Sequence, residues 1–214
     1  MIKNIFFDFD GVLVESVNVK TEAFRKMYLP YGDEIATKVV EYHLANGGVS
    51  RFEKIKYWHY NHLNKELTKE QIEELAQEFS SLALKGVIEA EEVKGAFEFL
   101  EANNKKYQCW IITGTPGDEI VHILNEKDWH HFFIQAFGSP QKKQFWADHI
   151  ISSNNLTPSE TVFVGDALAD YEAAKHAGVT FILRHTEDNK ELFKNYTGLS
   201  INDISELESV LMKL

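Results

Sequence analysis

Two aspartates, Asp8 and Asp10, stand two residues apart directly after the apolar run Ile5-Phe6-Phe7. Residues two apart on a strand share a face, and a backbone that curls past the strand's end can still turn both carboxylates into one pocket. In open parallel sheets ligands bind beyond the carboxyl ends of the strands, which is where this pair falls. A second pair, Asp166 and Asp170, follows the apolar run Thr161 to Gly165 and opens a helical stretch. Four residues apart on a helix, the two share a face and can steady a metal ion or its waters. Each pair alone also fits a structural role, a solvated turn for the first and a helix cap with a surface carboxylate for the second.

Two weaker features lie between the pairs. Ile112-Thr113-Gly114-Thr115 ends an apolar run and precedes a helical one, a geometry that offers hydroxyls and free backbone donors to a phosphate. Lys142 and Lys143, in Gly138-Ser139-Pro140-Gln141-Lys142-Lys143, supply cations near another strand's mouth. An ordinary strand-to-helix turn and a solvated lysine pair are the plain alternatives. The formal net charge of −11 argues against nucleic-acid and anionic-membrane partners, which require basic surfaces. It leaves room for a small anionic substrate held by local donors and a metal cation.

The elements that must position these residues are legible as short apolar runs: Ile5 to Phe9, Trp110 to Thr113, Ile134 to Gly138, Thr161 to Gly165 and Val179 to Leu183. Such runs suit strands buried on both faces. Helices are expected at Gly117 to Glu126, Gln141 to Ser153 and Ala167 to Ala177, with Thr115 capping before Pro116 and Gly178 as a stop. Strand and helix alternation implies an α/β fold with a parallel sheet. A last helix is expected from Ile204, capped by Asn202 or Asp203.

Residues 16–87 break this alternation with helical patterns only, which assigns 1–15 and 88–214 to the core and 16–87 to an inserted helical cap. Its clearest piece is Thr68 to Leu84, opened by a Thr68/Gln71 capping box. Gly47 and Gly48 mark a turn between two other cap helices.

No basic leader or cleavage site precedes Asp8, and no apolar stretch approaches the roughly 18 residues of a membrane span. Cys109 is the only cysteine, so no internal disulfide forms, in keeping with a cytoplasmic location. It falls in a strand and reads as core.

The order acidic pair, Thr, Lys, acidic pair, each at a strand's end, resembles the haloacid dehalogenase superfamily over essentially the whole chain. Asp8-Phe9-Asp10-Gly11, Thr113, Lys143 and Asp166 with Asp170 match its four motifs, and the cap's position resembles the helical-cap branch, with its phosphoglycolate phosphatase-like members. The resemblance implies a Rossmann-like core with a mobile lid. The acid at position 10 matches the phosphatases and phosphomutases, whereas the dehalogenases lack it.

It further implies Asp8 as a nucleophile that forms an aspartyl phosphate and Asp10 as the proton-transfer partner. Magnesium would be held by Asp8, Asp166 and the backbone carbonyl of Asp10, with Asp170 behind. Thr113, the Gly114 backbone and Lys143, preferred to Lys142, would hold the phosphoryl oxygens. The substrate would be a small phosphate ester, an acid or a sugar. A phosphomutase remains the nearest alternative, and a non-catalytic phosphate binder a more distant one. Arg51, after Gly47-Gly48-Val49-Ser50, is the cap's candidate for a second substrate anion, against a surface arginine or an intra-cap salt bridge. His43, Lys54 and Trp58 to His62 read as cap packing and surface. Monomer and dimer are equally compatible with the acidic composition.

Overall fold

All four residues of β1 (Asn4–Phe7) are buried, and their side chains alternate between two cores, Ile5 and Phe7 on one face and Phe6 on the other. This is the two-residue period of a strand covered on both sides. The computed structural model describes all 214 residues. After β1 come four helices, α1 (Val17–Tyr28), α2 (Asp33–Ala45), α3 (Arg51–Leu63) and α4 (Lys69–Glu89). The chain continues through α5 (Ala96–Asn103), β2 (Gln108–Pro116), α6 (Gly117–Glu126), β3 (Gln135–Ser139), α7 (Lys143–Ser153) and β4 (Thr161–Gly165). It ends with α8 (Leu168–Ala177), β5 (Thr180–Arg184), β6 (Leu199–Ile201) and α9 (Leu207–Leu211).

The strands form one parallel sheet in the order β3-β2-β1-β4-β5-β6. Strand order reverses between β1 and β4, so helices on either face leave a crevice beyond those two strands. The same alternation recurs in β4, where Val162 and Val164 face one core and Phe163 the other. Helices α1 to α4 bury a separate core around Phe24, Tyr28, Trp58 and Phe79, and so constitute the inserted helical cap. The α4 capping box forms as its sequence predicts, with Thr68 Oγ1 accepting from Gln71 N (3.3 Å) and Gln71 Oε1 from Thr68 N (3.0 Å).

Several boundaries differ from the sequence reading. Helix α4 runs on to Glu89, and α7 begins at Lys143 rather than Gln141. Thr115 does not cap α6, whose first-turn neighbour is Pro116; its hydroxyl is drawn to Asp10 instead. The expected last helix splits into a 3-10 turn, Ile204–Glu206, and the short α9. Helix α5 and edge strand β6 were not foreseen. Gly178 ends α8 at φ 68°, in the left-handed conformation expected of a stop. No helix is long and apolar enough to cross a membrane.

Candidate active site

Asp8 is the first residue past β1, and its N–H still bonds to the Val164 carbonyl (2.9 Å), extending the β1–β4 pairing by one step. That bond fixes the carboxylate, which is 2 % exposed. One oxygen accepts from the Phe9 N–H (2.7 Å), and the other meets the Lys143 ammonium (2.8 Å). The chain then turns sharply. Gly11 adopts φ +74°, and a Cβ there would lie 2.3 Å from Asp166 Oδ2, so only glycine lets the two loops approach.

Asp10 has a separate set of partners. Its carboxylate accepts from Ser16 Oγ (2.6 Å), Lys20 Nζ (2.5 Å) and Thr115 Oγ1 (3.0 Å). Burial alone would raise its pKa, but the Lys20 ammonium and the two hydroxyls outweigh it and hold the carboxyl below its ordinary range. Ser16 and Lys20 are four apart across the start of α1, hence on one side of the helix.

The β2–β3 register shifts between Ile112 and Pro116, which frees Thr113 to Thr115 from the ladder beside the crevice. Thr113 Oγ1 accepts from the Thr115 N–H (3.2 Å), leaving its own hydrogen to donate. Gly114 packs under the cap, since a Cβ there would be 2.6 Å from the Gly48 carbonyl oxygen. Lys143, at the first turn of α7, is 4 % exposed and bridges Asp8 (2.8 Å) and Asp170 (2.6 Å). Burial would lower its pKa, yet Asp170 and Asp8 raise it, so the ammonium stays charged. Lys142 is the residue before α7 and makes neither contact.

Ligand oxygens of Asp8, Asp166 and Asp170 all lie within 4.8 Å of one another. Withdrawal from solvent, then the charges of Asp8 and Asp170, push the Asp166 carboxyl well above its ordinary range. Burial and Asp8 push Asp170 in the same direction. Three carboxylates against one lysine is an electrostatic imbalance that a divalent cation would correct, and an all-oxygen donor set suits a hard one. The Asp10 carboxylate is not in this set, because Lys20, Ser16 and Thr115 engage it. The part expected of Asp10 in metal binding is its backbone carbonyl, which these side-chain contacts do not involve.

Asp8, Asp10, Thr113, Gly114 and Asp166 line one cavity with cap residues of α1 to α4. Arg51 also lines it, but not as a free cation. Its guanidinium forms a bidentate pair with Glu119 of α6 (2.8 and 2.5 Å), bonds to Ser80 of α4, and lies 4.5 Å from the Phe79 ring centre. The expected reach toward a substrate anion competes with this pairing, in which the charge ties cap to core.

Sequence reasoning did not single out Lys20, Glu119, Arg184 or Asn189, and read Thr115 as a helix cap and Lys54 and His43 as cap packing and surface. Arg184 donates to the Gly11 carbonyl (3.1 Å) and pairs with Glu15 (2.5 Å), while Asn189 donates to the Asp166 carbonyl (2.8 Å). One signal was available. Arg51, Lys54, Ile55 and Trp58 follow the i, i+3, i+4, i+7 spacing of a buried stripe, so two cations fall where a core face is expected.

The sequence model of the haloacid dehalogenase-like hydrolases matches residues 2–178. A phosphoglycolate phosphatase of Psychrobacter arcticus is 25% identical, the alignment covering 98% of this chain and 95% of the relative. A phosphorylated carbohydrates phosphatase of Thermotoga maritima is 25% identical over 82% of this chain and 81% of the relative. The crystal structure of β-phosphoglucomutase from Clostridium difficile superposes with a TM-score of 0.78 at 20% identity, covering 100% of this chain and 97% of the other. That last likeness concerns the fold alone.

Proposed function

Because the chain belongs to the haloacid dehalogenase-like hydrolases, and its curated relatives are phosphatases, we propose that it hydrolyses a small phosphorylated acid or sugar with magnesium through a phosphoryl-Asp8 intermediate. The observation that carries the reading is the pair Asp8 and Asp10 on one cavity, Asp8 held by Lys143 and Phe9 N–H, Asp10 by Lys20, Ser16 and Thr115.

Phosphate monoester hydrolysis is among the slowest uncatalysed reactions, so a nucleophile and strong charge stabilisation are both required. An Asp8 oxygen attacks phosphorus as the ester oxygen leaves, and water later displaces the carboxylate to release phosphate. A phosphoryl group entering beside Asp10 adds negative charge and raises its affinity for a proton. The Lys20 ammonium, 2.5 Å away, keeps the Asp10 carboxyl oriented while it takes that proton from solvent. Asp10 then delivers that proton to the leaving oxygen and recovers one from the attacking water. Thr113 Oγ1, the Gly114 N–H and the Lys143 ammonium hold the remaining phosphoryl oxygens, as positioning is most of phosphoryl-transfer catalysis. Magnesium, when bound by Asp8, Asp166 and the Asp10 carbonyl with Asp170 behind, supplies charge neutralisation and fixes the orientation of the phosphate.

A cytoplasmic location accords with the single thiol, Cys109, buried in β2 with its pKa pushed up to about 12 by burial. The test is phosphate release from a panel of phosphorylated acids, sugars, polyols and nucleotides, with magnesium and with chelator. Release from at least one small ester, lost in Asp8→Asn, supports the reading. Isomer formed without free phosphate would instead establish a mutase.

A further inference from the structure

Lys54 lies 2 % exposed on the stripe of α3 that carries Ile55 and Trp58 inward. A buried ammonium ordinarily has an anionic partner. Here the only hydrogen-bond partners are the Nδ1 (2.8 Å) and the carbonyl oxygen (3.4 Å) of His43. The other cations of the site are matched: Lys20 by Asp10, Arg51 by Glu119, and Lys143 by Asp8 and Asp170. Lys54 alone has no carboxylate.

Both Lys54 and His43 line the cavity that holds Asp8, Asp10, Thr113 and Asp166. Burial and the charges of Lys54 and Lys20 hold the His43 imidazole well below its ordinary pKa, so it stays a neutral acceptor that orients the ammonium. Two of the three ammonium hydrogens are directed at His43; the third remains for a ligand. Burial, then Lys20, pushes Lys54 itself down to about 7, a cost that an incoming anion would relieve. Lys54 also lies near enough to Lys20, Asp10 and Lys143 for their charges to act on it. A group at Lys54 and a phosphoryl group at Asp8 therefore belong to one compact molecule.

We propose that Lys54, oriented by His43, is the subsite for a second anionic group of the substrate, so that the preferred ester is a short phosphorylated acid or bisphosphate rather than the phosphate of a neutral alcohol. This rests on the phosphatase reading. It moves the anion-recognising role in the cap from Arg51 to a residue whose charge has no partner within the protein.

The test uses the magnesium-loaded full chain and three two-carbon esters: 2-phosphoglycolate, ethylene glycol bisphosphate and ethyl phosphate. Phosphate release by the wild type is expected to favour one of the first two over ethyl phosphate by about 100-fold in kcat/KM, the scale of a buried charge pair. Whichever is favoured identifies carboxylate or phosphate as the second group. Lys54→Met should lose most of that preference while changing ethyl phosphate turnover only a few-fold, and Lys54→Arg should retain part of it. The wild-type preference stands as a test even if a variant folds poorly. Equal efficiency on all three esters, or equal losses in Lys54→Met, would overturn the subsite while leaving a phosphatase. Absence of phosphate release from every ester would remove both.

Discussion

Asp8 has one oxygen on a backbone N–H and the other on Lys143, so its orientation is set before any substrate arrives. Asp8→Asn keeps this shape but loses the charge and the nucleophile. Turnover should fall by about 10³-fold or more, with a melting temperature no lower than wild type because repulsion from Asp166 and Asp170 is relieved. Thermal melting and single-substrate kinetics check both halves, and substantial retained turnover would move the nucleophile elsewhere. Lys54 makes a different prediction. In the unfolded chain it titrates at the ordinary lysine value of 10.5, and in the folded chain at about 7. Between those values the unfolded state holds a proton that the folded state has released, so stability should rise with pH across that window and fall toward pH 7. Below about 7 the full penalty is present, a few kcal/mol at about 1.4 kcal/mol per pH unit. Lys54→Met should therefore melt several degrees higher at pH 6, the gap narrowing above pH 9. A lower melting point for the variant at pH 6 would show that the buried ammonium is stabilised rather than strained.

At the scale of elements, the cap meets the core at a polar junction besides the Lys20 contacts to Asp10 and Thr115. Arg51 of α3 and Ser80 of α4 converge on Glu119 in the first turn of α6. Burial would raise the Glu119 pKa, but Arg51 and Ser80 outweigh it and keep the carboxylate ionised. A junction of this kind aligns the lid with the phosphate site whatever the ester's remote group. Arg51→Ala and Glu119→Ala should each lower kcat/KM by a similar factor on 2-phosphoglycolate and on ethyl phosphate. The double variant should cost less than the sum, with a coupling of about 2 to 3 kcal/mol. Loss confined to the anionic ester would return Arg51 to substrate recognition. Additive losses would mean the pair does not act as a unit.

At the scale of the whole molecule, strand order reverses between β1 and β4, and the residues just past those two strands include Asp8 and Asp166. With Asp170 from α8 they concentrate negative charge where the fold leaves its crevice. A cation that binds only the folded state stabilises it, by about 2.7 kcal/mol at a hundredfold excess over Kd. Magnesium should therefore raise the melting temperature by several degrees, and chelation should abolish turnover. Asp166→Asn should shrink the magnesium-dependent shift while raising the melting temperature of the metal-free protein. Full turnover in chelator, or an unchanged magnesium shift in Asp166→Asn, would contradict the metal site.

Strand identity and the ends of strands were legible from local order alone. Apolar runs such as Thr161 to Gly165 can sit only between two covered faces, and the residues that follow them necessarily emerge at the sheet's edge. That put Asp8, Asp10, Thr113 and Asp166 at strand ends on one side of a parallel sheet, while their joining into one site, and the choice of Lys143, came from the family resemblance. The separation of a helical insert was legible from local order too, as a stretch with a different period. Pairings made between separately docked elements were not. Lys20 beside Asp10, Arg51 on Glu119, Lys54 facing His43 and Asn189 under Asp166 depend on how α1, α3 and the loop after β5 dock on the sheet. A lysine's long apolar stem suits surface and core alike, so its sequence position does not say whether its charge meets water, a carboxylate or an open cavity. Only docking removes the water, and its removal turns Arg51 into a clamp and leaves Lys54 without a partner.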